Sequence, residues 1–101
     1  MLQINKITIE KEVTGVDGVF TYNISYKTVD NILQGVVCEV KKTVTSIMDG
    51  PEGPIEVGSI VSIGSIKEAG GMTNVEIATT EPVSVILAKF EEYVVEITAL
   101  I

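Results

Sequence analysis

Hydrophobic and polar residues alternate most cleanly over Phe20-Thr21-Tyr22-Asn23-Ile24-Ser25-Tyr26-Lys27, with Phe20, Tyr22, Ile24 and Tyr26 on one parity and the polar residues on the other. A period of two is the signature of a strand, because successive Cβ atoms point to opposite faces of a sheet. One face of this strand is expected to meet a core and the other water. The Asp17-Gly18 step just before it is a tight-turn signal, which predicts a hairpin with an earlier strand over 2–13. Within that earlier strand the apolar parity switches between Ile4 and Ile7, across Asn5-Lys6, as a β-bulge would require.

After the Asp30-Asn31 turn signal, Val36, Cys38, Val40, Val44 and Met48 share a parity broken by Lys42 and Ser46, so a long strand, straight or bent, is predicted over about 36–48. The segment Asp49-Gly50-Pro51-Glu52-Gly53-Pro54 combines two prolines with two glycines and reads as a loop. Beyond it, Ile55, Val57, Val61 and Ile63 occupy one parity while Ile60 and Ile66 occupy the other, with Gly58 and Gly64 interrupting the run. Such a strand is either buried on both faces or bulged. Ala69-Gly70-Gly71 predicts a turn into another strand, in which Val75 and Ile77 alternate with Asn74 and Glu76.

At Thr80-Glu81-Pro82 the period changes. Val83, Ile86, Leu87, Phe90 and Val94 recur at helical spacing, which predicts a helix over about 81–93. The β-branched stretch from Val94 to Ile101 then predicts a last strand. A short repeat, Gly58-Ser59-Ile60 followed by Gly64-Ser65-Ile66, has too few copies to build a solenoid.

These elements predict a mainly β fold: an antiparallel sandwich or partly open barrel of about six strands, with one helix covering an open face or end. Composition agrees, since Val, Ile and Thr supply 39 of 101 residues against four Leu. The length and the lack of any linker-like segment predict a single domain over 1–101. The expected core is Ile7, Ile9, Phe20, Tyr22, Ile24, Tyr26, Val36, Cys38, Val40, Val57, Val61, Ile63, Val75, Ile77, Val83, Ile86, Leu87 and Phe90.

Charge changes the picture of what the domain binds. Fourteen acidic residues against seven Lys and no Arg give a net charge of −7. Without a positive field or a guanidinium fork, direct nucleic-acid binding is disfavoured, and an anionic membrane surface would repel the chain. The first residues lack the basic segment and apolar run of a secretory signal, and no apolar stretch reaches membrane-spanning length. A soluble, cytoplasmic protein is expected, with incorporation into a virion as one setting.

Candidate chemistry is sparse. There is no His, which removes the commonest general base, the commonest metal ligand and every Ser-His or Cys-His pair. Cys38, flanked on its own parity by Val36 and Val40, reads as a small core residue rather than a nucleophile. The carboxylate pairs Glu10 with Glu12, Glu91 with Glu92, and Asp49 with Glu52 fall on solvated faces or in a turn and match no calcium loop. No Gly-rich phosphate cradle is present, and the aromatic row Phe20, Tyr22 and Tyr26 fits a core face better than a base-stacking platform. No catalytic residue, cofactor or metal is expected.

The reading that remains is a non-catalytic structural or interaction module. It would be a component of a larger protein assembly, for example an accessory or decoration protein of a virion or other multi-copy particle, with protein partners or self-association. A small-molecule-binding barrel or sandwich, with the two-sided strand 55–66 lining a cavity, is the alternative, and a carboxylate-dependent enzyme ranks last. The expected interaction surfaces are Asp49, Gly50, Pro51, Glu52, Gly53 and Pro54, the turn at Gly70 and Gly71, and the terminal segments.

Overall fold

A computed structural model describes residues 2–101. The chain is mainly β and antiparallel: β1 (Thr8–Asp17), β2 (Phe20–Val29), β3 (Ile32–Gly50), β4 (Gly53–Ala69) and β5 (Met72–Ile77) form one sheet in the order β1-β2-β3-β4-β5, followed by the helix α1 (Val83–Ala99). Five strands rather than six make this up-and-down meander. Its turns are those the residue types dictate. Asp30 and Asn31 have φ of 51° and 65°, and Gly70 and Gly71 of 59° and 76°. Positive φ at both central residues is the type I′ arrangement, whose twist matches that of the flanking strands.

The core lies between one face of the sheet and α1. Tyr22, Ile24 and Tyr26 of β2, Val36, Cys38 and Val40 of β3, and Ile66 of β4 are buried beneath Ile86, Phe90 and Ile97 of the helix. The helix begins at Val83 and runs to Ala99, six residues beyond the expected end near 93, so the strand expected over 94–101 does not form. Ile86, Phe90 and Ile97 are buried on a single stripe, flanked by the half-buried Leu87, Tyr93 and Val94. Packing of that stripe outweighs the weak strand preference of Val94, Val95, Ile97 and Thr98, since propensity differences of a few tenths of a kcal/mol per residue yield to burial. Tyr93 meets Tyr22 edge-on at 5.2 Å, and Gly15 leaves the space its ring occupies.

At the other end of the chain, residues 2–7 lie outside β1, so the bulge expected across Asn5-Lys6 is not part of the sheet. The last rung is Thr8 opposite Val29, where β2 ends and leaves no partner for the preceding residues. Ile7 is held there: its N–H donates to Asp30 Oδ1 at 2.9 Å, and the Asp30 N–H donates to the Ile7 carbonyl at 2.9 Å. Ile7 and Ile9 are consequently exposed rather than core. Val57, Val61 and Val75, also expected in the core, are exposed as well, while Phe20, Ile63, Ile77, Val83 and Leu87 are half-buried.

The two parities of β4 are reconciled by a bulge. Val40 pairs with Gly64 and Lys41 with Ser62, so Ile63 is the extra residue, and the side chains of β4 change faces across it. Gly64 sits there at φ 149°, with its α-carbon so close to the Glu76 carbonyl and to Ile77 that no side chain fits. Buried Ile66 on one side of the bulge and Val61, Val57 and Ile55 on the other thus belong to one face, the same face as Val36, Cys38 and Val40.

Candidate functional site

The feature that sets this fold apart is where its strands stop. β2 begins at Phe20, opposite Lys42, and β5 ends at Ile77, opposite Gly64. β3 and β4 continue past both, pairing only with each other from Thr43 opposite Ile60 to Gly50 opposite Gly53. At a strand rise of about 3.4 Å per residue, this two-stranded arm projects roughly 27 Å beyond the body. The whole chain measures 72 × 30 × 20 Å, with a radius of gyration of 18.1 Å. A compact chain of this length would have a radius near 13 Å.

The predicted loop Asp49-Gly50-Pro51-Glu52-Gly53-Pro54 is the tip of this arm, and most of it is strand. Only Pro51 and Glu52 form the turn, while Asp49 pairs with Pro54 and Gly50 with Gly53. Pro54 is tolerated because no third strand needs its missing N–H. The other predicted surface, Gly70-Gly71, is the turn between β4 and β5, at the opposite end of β4. The length of β4 separates the two by roughly 50 Å, so they do not form one site.

Cross-strand register divides the arm into two faces. One carries Val44, Met48, Ile55 and Val57 with Ser46 and Ser59, with Val61 at its base; it prolongs the core face of the body. The other carries Ile47 and Ile60 among Thr43, Thr45, Glu56 and Asp49. Both are open: Val57 is 37% and Ile47 74% exposed. The sequence pattern predicts Val57 and Val61 in the core, or strand 55–66 along a cavity, and both residues are instead exposed. The signal available against that was length, because a strand of 19 residues cannot be covered along its whole length by a neighbour of 10.

The base of the arm is fastened. Lys42, the last residue of β3 paired to β2, donates to both carboxylate oxygens of Glu81 at 3.2 and 3.1 Å. That ion pair, with Glu81 only 13% exposed, ties the segment before α1 to the neck. The Thr43 N–H donates to the Val19 carbonyl at 2.8 Å, and the Ala78 N–H to the Ile63 carbonyl at 3.0 Å.

Neither a protein-family model, nor a curated protein, nor a solved structure matches this chain.

Elsewhere the reactive groups are placed as structural parts. Cys38 is fully buried, and desolvation, with the Glu39 carboxylate adding to it, pushes its thiol up to about 12, far from thiolate chemistry at neutral pH. Burial likewise raises the Tyr22 hydroxyl to about 12, with the negative charge of Asp17 contributing. That hydroxyl is buried without a hydrogen-bond partner among the described residues. Glu91 and Glu92 are exposed on the helix, and Glu10 faces Lys27 across the β1–β2 rungs. Among the described residues no three His, Cys, Asp or Glu side chains cluster as a metal site would require, and no helix is long and apolar enough to cross a membrane. An open trough of about 720 Å³ lies on the sheet face away from α1, with Glu10, Glu12, Ser25, Lys27, Gly35 and Val37 in its lining. Its charges alternate in sign on neighbouring strands, with Glu10 opposite Lys27.

Proposed function

We propose that this chain is a non-catalytic component of a larger protein assembly, such as a virion shell or another multi-copy particle, and that the β3–β4 arm is the part that joins it there. The arm itself carries this reading. It exposes two unpaired strand edges and a row of apolar side chains, which an isolated chain leaves in water. An unprotected edge is a template for another chain's backbone, and contiguous exposed apolar surface marks protein interfaces. The contrast with β1 supports it: that edge strand carries Glu10, Lys11 and Glu12 in a row, charged residues that discourage pairing, whereas the arm has no Lys and its carboxylates, Asp49, Glu52 and Glu56, lie at or near its tip.

The small-molecule reading loses its motive, because Ile55, Val57, Ile60 and Val61 are exposed along the arm and line no enclosed space. The test shortens the arm by replacing residues 43–60 with Asn-Gly, so that a two-residue turn joins the paired Lys42 and Val61. Expressed in the native source, the shortened chain is expected to keep the thermal transition of the wild type and to be missing from the complex with which the wild type co-purifies. Incorporation of the shortened chain at wild-type stoichiometry would sink the proposal.

A further inference from the structure

β4 carries the longest uncharged run in the chain, the ten residues 57–66 between Glu56 and Lys67, in a sequence with 21% charged residues. The run holds no Pro and contains the Gly-Ser-Ile repeat, at 58–60 and again at 64–66. Its second half belongs to the body, where Gly64 and the residues after it pair with β5 and Ile66 is buried under α1. Its first half lies on the arm. From Gly53 to Ser62, β4 has β3 on one side and, among the described residues, no strand on the other. Residues 57–62 therefore form an open strand edge without a charge. The other free edges differ: β1 carries Glu10, Lys11 and Glu12, β5 carries Glu76, and β3 beyond Lys42 is richer in Thr and meets Asp49 after six residues.

In-register stacking of identical strands sets each side chain about 4.8 Å from its own copy, so every charge opposes its like while uncharged β-branched residues pack on themselves. A long run without charge is what this geometry demands and what pairing with a foreign strand does not. Each face of 57–62 also alternates branched and small residues: Val57, Ser59 and Val61 on one, Gly58, Ile60 and Ser62 on the other. Sheets facing each other interdigitate through such alternation, the dry packing of a steric zipper. The native fold restrains the process at the bulge. There Ile60, opposite Thr43, and Ile66, opposite Cys38, lie on different faces, although their six-residue spacing would put both on one face of a straight strand. A bulge that bends an edge away is one of the ways folded chains resist edge pairing.

We infer that residues 57–62 are a homotypic cross-β segment, through which copies of this chain stack strand on strand into fibres. Stacking along this edge is independent of what meets the apolar face of the arm. The test incubates the purified full chain with shaking, follows thioflavin T fluorescence, and examines the product by fibre diffraction and hydrogen exchange. The wild type is expected to give fibres with a reflection at about 4.8 Å and the strongest exchange protection over 57–62. Two variants, Ile60→Lys and Ile47→Lys, change the net charge equally and place Lys at exposed positions on one face of the arm. Both bring this acidic chain closer to neutrality, which by itself favours association. Ile60→Lys should nevertheless lengthen the lag time by about tenfold or more, and Ile47→Lys by less than about threefold. Circular dichroism checks that each variant folds, which is expected because both side chains are exposed. A wild type that forms no fibres overturns the inference, as do equal lag times for the two variants or protection centred elsewhere in the fibre. If no fibres form while the arm-shortened chain is still excluded from the native complex, the assembly role stands and cross-β stacking falls.

Discussion

β3 and β4 pass through two environments without changing their chemistry. Within the body, Val36, Cys38, Val40 and Ile66 are at most 2% exposed beneath α1. In the arm and at its base, Val44, Met48, Ile55, Val57 and Val61 continue the same face, and all are exposed. On the core face the side chains do not distinguish the halves: in both they are mostly β-branched and apolar. The difference is made by the neighbours, since β2, β5 and α1 reach only as far as Lys42 and Gly64. Burial is a property of the layer above a strand, and only the body has one.

The sharpest break between the halves is expected from truncation. Phe90→Ala removes a fully buried ring over the body and should cost about 3–5 kcal/mol in denaturant titration, whereas Val57→Ala in the arm should cost an isolated chain less than about 0.5 kcal/mol. Equal losses would mean that the arm is packed against the body in solution. At the junction, Gly64→Ala places a methyl group against the Glu76 carbonyl at a φ that side chains rarely adopt, and a loss of about 2–4 kcal/mol is expected by the same titration. A neutral outcome there would show that the bulge does not set the arm's departure from the sheet.

Alkaline pH should single out the body. The Cys38 thiol and the Tyr22 hydroxyl both ionise near 12 in the folded chain, against 9.0 and 10.0 for the free groups. The unfolded chain therefore loses these protons first, so stability is full below pH 9 and falls as pH rises towards 12. The slope approaches roughly 1.4 kcal/mol per pH unit for each group once its free value is passed. Cys38→Ala should flatten the portion between pH 9 and 10 in urea titrations, and an unchanged slope would place the origin elsewhere. The smallest effect is expected from Tyr22→Phe, which deletes a buried hydroxyl with no partner among the described residues and should leave stability unchanged or raise it by about 1 kcal/mol. A marked loss would reveal that this hydroxyl is hydrogen-bonded in solution, for instance to water.

Much of the body was legible in the chain. The alternation of Phe20, Tyr22, Ile24 and Tyr26 placed β2 and its core face, and Asp30-Asn31 and Gly70-Gly71 marked the turns that form. The parity switch in β4 was readable as a bulge, though whether it meant a bulge or two-sided burial needed the register of β3. The arm was half legible. Its two strands and the tip were located, but Asp49 to Pro54 reads as a loop from its prolines and glycines, and becomes ribbon because two strands already in register carry their ladder to the last pair.

By itself, the sequence determined the mainly antiparallel β character, the positions of the turns, the helix after Pro82 and the row of residues from Tyr22 to Val40 that forms the core. Only the tertiary structure decided that α1 continues to Ala99, that Ile97 and Ile66 are buried, and that Val57 and Val61 are exposed. The physical reason is the same in each case. Periodicity states which side chains share a face, because it follows from backbone geometry within one element. Whether anything covers that face depends on the lengths and endpoints of other elements, which no single stretch of sequence contains.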